Sequence, residues 1–153
     1  MHGTVETAAT RDFPAALARL REALAHVANG EGGPIKALYS HADDATSMYG
    51  WGGYEKGWEA ISRRWDWAAK QFQGGTVSHE NVSTVVGTEL ALVTDIENFE
   101  VLLPDLDAPT RWTNRVTHVF RFEGSEWRLL HRHANRLEQQ YEPAPRLAPA
   151  SGT

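Results

Sequence analysis

The sequence predicts an α+β domain in which helices cover one face of a curved antiparallel sheet and enclose a pocket. Three observations predict it. The N-terminal half carries apolar stripes at helical spacing, the chain turns β-branched and turn-punctuated after Gly75, and six tryptophans supply ring area to fill a core or line a cavity.

From Arg11 to Asn29, Phe13, Leu17, Leu20, Leu24 and Val27 recur every three or four residues, the spacing of one helix face. Thr10 or Asp12 can cap this helix and Gly30 ends it. Gly30-Glu31-Gly32-Gly33 makes a turn, after which Pro34 starts a short helix to about Ser40 with Ile35, Leu38 and Tyr39 inward. Ala45 to Tyr49 reads as a short strand, and Gly50, Gly52 and Gly53 surround Trp51 in a permissive loop. A third helix, from about Lys56 to Gln73, aligns Trp58, Ile61, Trp65, Ala68 and Phe72. Trp67 falls off that stripe and needs cover from a loop, a partner or a ligand. Four strands follow, at Thr76 to Val86, Leu90 to Leu103, Arg111 to Glu123 and Trp127 to Arg136, with turns at Gly87-Thr88, Pro104 to Pro109 and Gly124-Ser125. Residues 1–10 read as a flexible start, 11–137 as the domain, and 138–153 as a disordered Pro- and Ala-rich tail.

At 153 residues the chain fits one domain. A net charge of -5 argues against nucleic-acid and anionic-membrane partners. The absence of cysteine excludes disulfides and thiolate chemistry. With no leader-like apolar run and no stretch long enough to span a bilayer, the chain reads as cytoplasmic.

Two stretches carry a family resemblance. One is Ala42-Asp43-Asp44-Ala45-Thr46, followed by a short strand, a Gly-rich loop and a helix opening Gly57-Trp58-Glu59. The other is Thr117-His118-Val119-Phe120-Arg121-Phe122, a tight turn, and Trp127 to Asn135. Both resemble the superfamily of nuclear transport factor 2, which includes ketosteroid isomerase, the SnoaL-like polyketide cyclases and the kinase association domain. The SnoaL-like branch is the nearest in character. The resemblance implies a cone-shaped fold, a small apolar or aromatic ligand, no cofactor, and a homodimer through the outer sheet face. It also implies cyclisation, isomerisation or dehydration of a polyketide-like carbonyl compound, the alternative being a non-catalytic ligand-binding or dimerisation module.

The three catalytic positions of ketosteroid isomerase fall on Tyr49, on Ala23 or Leu24, and on His118, so its carboxylate mechanism does not carry over. Tyr49 and His118 become the candidate catalytic pair, one as hydrogen-bond donor and the other as donor, acid or base. The remaining candidate pocket residues are Trp51, Tyr54, Trp58, Phe120 and Arg132. For the last strand the signals conflict: Trp127 and Leu129 make odd positions look buried, bringing His131 and His133 with them, whereas the resemblance turns Leu130, Arg132 and Ala134 inward. The second choice puts Arg132 in the pocket and leaves Trp127, Leu129, His131 and His133 for a dimer face. His131-x-His133 with Glu138 suggests part of a metal motif, but the rest of the signature is missing and no metal is expected. Glu97 is expected to pair with Arg115 or Arg121 across the sheet.

Overall fold

The computed structural model describes residues 8–137; the readings of residues 1–7 as flexible and of 138–153 as a tail lie outside them. Helices α1 (Ala8–Ala28), α2 (Gly33–Leu38) and α3 (Trp58–Lys70) cover a six-stranded sheet of β1 (Thr46–Met48), β2 (Tyr54–Lys56), β3 (Gly75–Val86), β4 (Leu90–Val101), β5 (Thr110–Glu123) and β6 (Glu126–Arg136). Helix α1 begins at Ala8, earlier than the stripe alone indicates. The short strand β2 falls where only a loop was expected, and α3 spans less than the apolar pattern.

The strand order is β2-β1-β6-β5-β4-β3. Its four long strands pair antiparallel as expected, but β1 runs parallel to β6, so the sheet is mixed. Alternation along a strand reports which face each side chain takes and says nothing of the direction of a neighbour some eighty residues away. The inner face packs Phe13, Leu20, Leu24 and Val27 of α1 and Ile61 and Trp65 of α3 against Val93, Phe99, Phe120, Trp127 and Leu129. Phe13 meets Phe120 and Trp127 edge-on at 5.2 and 5.4 Å. Burying side chains of this size stabilises by about 1.5–3 kcal/mol each, enough to fix which face of every element turns inward.

Two irregularities bend the sheet. Asn81 pairs with Asp95 and Ser83 with Thr94, leaving Val82 as a bulge; likewise Val119 pairs with His131 and Phe120 with Leu129, leaving Leu130 unopposed. The second bulge resolves the conflict in the last strand. Before it the odd positions Trp127 and Leu129 are buried; beyond it the even positions Arg132 and Ala134 are buried. Both sequence signals are therefore correct locally, because one extra residue reverses the alternation. Trp127 and Leu129 belong to the core rather than to a dimer face, and Leu130 is only half-buried. Gly75, at φ 149°, has backbone of Glu100 and Val101 where a Cβ would sit, so β3 can enter the sheet only with glycine there.

Candidate functional site

The alternation of β4 turns Val93, Asp95, Glu97, Phe99 and Val101 inward, and that of β5 turns Asn114, Val116, His118 and Phe120 inward. Two of the polar members meet Arg132 of β6. Its Nη2 donates to Glu97 Oε1 at 2.7 Å and its Nη1 donates to Glu97 Oε2 at 3.0 Å, a two-pronged contact that fits a planar carboxylate. Nη1 also donates to Nε2 of His118 at 2.9 Å. A guanidinium has only donors, so His118 Nε2 must present its lone pair and the ring is the Nδ1–H tautomer. Asn114 Nδ2 reaches Glu97 Oε1 at 3.4 Å, and His79 Nε2 lies 3.5 Å from Oε2. Glu97 and His118 are fully buried and Arg132 is 5% exposed.

Burial by itself would raise the Glu97 carboxyl, but the Arg132 charge, the His79 ring close by and the hydrogen bonds from Arg132 outweigh it and hold the group well below the carboxylate range. Burial opposes the Arg132 charge too, and Glu97 more than offsets that effect, raising its affinity for the proton. For His118 burial and the adjacent Arg132 act together, pushing the imidazole well below its usual value and keeping it neutral. Glu97 therefore pairs with neither Arg115 nor Arg121. Both arginines point to the opposite side of β5: Arg115 is exposed and Arg121 is held by Asp44 and Glu123.

Tyr49, at the end of β1, is buried, and its ring lies 4.7 Å from that of Trp51 at 10° and edge-on to Trp65 at 6.2 Å. Its hydroxyl has no hydrogen-bond partner, and neither do Ser47 Oγ, Trp65 Nε1, Asn114 Oδ1 or His118 Nδ1. Burial pushes the Tyr49 phenol up to about 12 against a smaller downward effect of the Ser47 hydroxyl, which is close by but outside hydrogen-bond distance, so the phenol remains a donor at neutral pH. Tyr49, Trp65, Asn114 and Arg132, with Trp51, Phe99 and Trp112, border a cavity of about 30 Å³. That is room for one or two waters. The cation of Arg132 sits 5.9 Å over the Trp65 ring. Trp51, 43% exposed, covers the Tyr49 ring from a loop in which Gly52 and Gly53 take φ of 107° and 83°. It also provides the loop cover for Trp67, at 5.7 Å.

Of the candidate pocket residues, Tyr49, Trp51 and Arg132 border this cavity. His118 lies behind Arg132 with its Nε2 already engaged, which leaves it no free lone pair for taking a proton. Tyr54 is 75% exposed on β2. Trp58 stacks on His41 at 3.8 Å, and Phe120 is core between α1 and the sheet. His131 and His133 take the outer side: Nδ1 of His131 lies 2.8 Å from the Thr46 hydroxyl, and His133 is exposed. Among the described residues no group of three or more acidic or histidine side chains could hold a metal, and no helix is long and apolar enough to cross a membrane. The sequence reading missed Glu97 and Asn114 as interior polar residues and Trp112 and Phe99 as cavity walls. Strict alternation through β4 and β5 was the signal that could have found them.

Residues 7–135 match the family described as the SnoaL-like domain. The chain belongs to the SnoaL-like family. No curated protein matches the sequence. Among solved structures, this SnoaL-like chain resembles a nuclear transport factor 2-like superfamily protein of Salmonella enterica, with a TM-score of 0.72 at 16% identity over 94% of this chain and 96% of that one. A provisionally assigned dehydratase of the same superfamily from Streptomyces avermitilis gives 0.71 at 19% identity, over 84% and 96%. A provisionally assigned scytalone dehydratase from Novosphingobium aromaticivorans gives 0.69 at 12%, over 94% and 93%. Likeness at these identities establishes the fold of the SnoaL-like domain, and its chemistry has to be argued from its own residues.

Proposed function

We propose that this SnoaL-like domain takes a small, largely apolar carbonyl compound against Tyr49 and transforms it without a cofactor, by cyclisation, isomerisation or dehydration. The observation that carries the reading is the buried, unpartnered hydroxyl of Tyr49 at an aromatic-walled cavity. A buried donor without an acceptor costs about 1–3 kcal/mol, a cost that a ligand oxygen would remove. The hydroxyl of Tyr49 and the N–H of Trp65 are unpartnered donors that can hydrogen-bond the carbonyl oxygen of a ligand and polarise it. In this reading His118 holds Arg132 in place from behind and takes no proton. The ligand enters as Trp51 leaves the Tyr49 ring, and its own flat surface replaces the indole.

A second reading, a non-catalytic ligand-binding module, is favoured by one observation: Arg132 occupies both oxygens of Glu97 and the Nε2 lone pair of His118, so neither of these buried groups is free to take a proton. Native mass spectrometry of protein purified without denaturation would identify a retained ligand, and turnover of that compound would then be compared between wild type and Tyr49→Phe. At least a roughly tenfold loss of rate is expected from losing one transition-state donor. Equal rates would remove the catalytic assignment and leave the module.

For the partner we propose a second copy through the outer sheet face. Val85, Leu92, Val119 and His131 are successive cross-strand neighbours there, and the two aliphatic side chains nearest the edge are exposed. Sedimentation of wild type and Leu92→Glu tests it; a wild-type monomer at all concentrations would exclude the dimer.

A further inference from the structure

We infer that Glu97, though it does not border the cavity, makes the cavity select uncharged ligands over carboxylates by neutralising Arg132. This rests on the small-ligand reading above and deepens it to a substrate class. Arg132 is the buried cation of the cavity wall, and a free guanidinium there would attract an anionic ligand. Both of its terminal nitrogens are already committed to the two oxygens of Glu97, at 2.7 and 3.0 Å, and Nη1 is shared with His118. A carboxylate entering beside Arg132 would bring a second negative charge near Glu97, and among the described residues that line the cavity no second buried cation meets it. The other cation of the lining is Arg136, exposed at the rim, its guanidinium 4.8 Å over the Trp112 ring. Water and salt screen that charge, so it does not replace a buried counter-charge. The unpartnered groups at the wall, the Tyr49 hydroxyl, Trp65 N–H and Asn114 carbonyl, are all uncharged and suit a ketone, aldehyde or hydroxyl.

The test uses a matched pair of probes, para-fluoroacetophenone and para-fluorobenzoate, titrated by fluorine NMR into the full chain. Wild type is expected to bind the ketone at least roughly tenfold more tightly than the benzoate. In Glu97→Gln, with circular dichroism confirming the fold, benzoate affinity is expected to rise at least roughly tenfold while that of the ketone changes by less than about threefold. The double variant Glu97→Gln with Arg132→Gln removes both charges, guards against a Glu97→Gln protein that fails to fold, and is expected to keep the wild-type preference. Equal or tighter benzoate binding by wild type overturns the inference, as does an unchanged ratio in folded Glu97→Gln or a loss of benzoate affinity in the double variant. Ketone binding with any of those results leaves the ligand reading standing. Binding of neither probe to any of the three proteins removes that reading and the inference together.

Discussion

Arg132 Nη1 donates to Nε2 of His118 at 2.9 Å, so a histidine at the centre of the sheet is locked as a neutral ring. In the unfolded chain the same imidazole gains a proton below about pH 6.5. The folded state then binds fewer protons than the unfolded one, and stability falls as pH drops through that value. His118 contributes up to about 1.4 kcal/mol per pH unit below it. Urea titrations at pH 7.5 and 5.5 should show the loss in wild type and a smaller difference in His118→Gln. Equal pH dependence in the two proteins would mean that His118 is not the linked group.

The Glu97 carboxyl is held low, so the stability it contributes is present above the ordinary glutamate range and is lost as pH falls from about 4.3 toward its folded value. Breaking the pair from one side should be much worse than removing it. Arg132→Met alone is expected to cost about 3–5 kcal/mol, because a buried carboxylate is left uncompensated, and adding Glu97→Leu should recover most of that. Denaturant midpoints of the two singles and the double measure the coupling; additive losses would contradict it.

Tyr49→Phe removes a buried hydroxyl that has no partner within hydrogen-bond distance, the nearby Ser47 hydroxyl included. The ligand-free variant should be as stable as wild type or more so, by up to about 1 kcal/mol, while losing ligand affinity or rate. Thermal melts set beside the binding titration separate the two effects. A large destabilisation would mean that the hydroxyl has a structural acceptor.

Deleting Leu130 should leave the domain folded, because Leu129 and His131 then become neighbours and unbroken alternation still turns Trp127, Leu129, Arg132 and Ala134 inward, at the loss of the bend that the bulge gives the sheet. Leu130→Ala keeps the count and, at a half-buried position, should cost no more than about 1 kcal/mol. Circular dichroism melts check both; a deletion variant that fails to fold would disprove the parity argument.

Much of the fold is legible because α1 and α3 repeat their apolar residues at helical spacing and the long strands are bounded by Gly and Pro turns. The parallel pairing of β1 with β6 is not legible, since Thr46-Ser47-Met48 is too short to show alternation and its partner lies far along the chain. The site was legible in part. Tyr49 and Arg132 follow from the resemblance, whereas Tyr54 on β2 and Trp58 at the start of α3 lie away from the cavity. Glu97 reads from the sequence as half of a cross-strand ion pair with Arg115 or Arg121, and its true partner is out of reach of local pattern because the Arg132 guanidinium is brought to it from two strands away.

The unopposed Leu130 also divides β6 into two stretches with separate duties. Upstream, Trp127 and Leu129 hold the helices to the sheet; downstream, Arg132 and Ala134 set what the cavity presents. Substitutions in the downstream stretch that keep the charge of Arg132 matched to Glu97 alter the cavity wall without loosening the hydrophobic anchor upstream. Such insulation allows the wall of the cavity to be rebuilt stepwise while the helices stay anchored to the sheet.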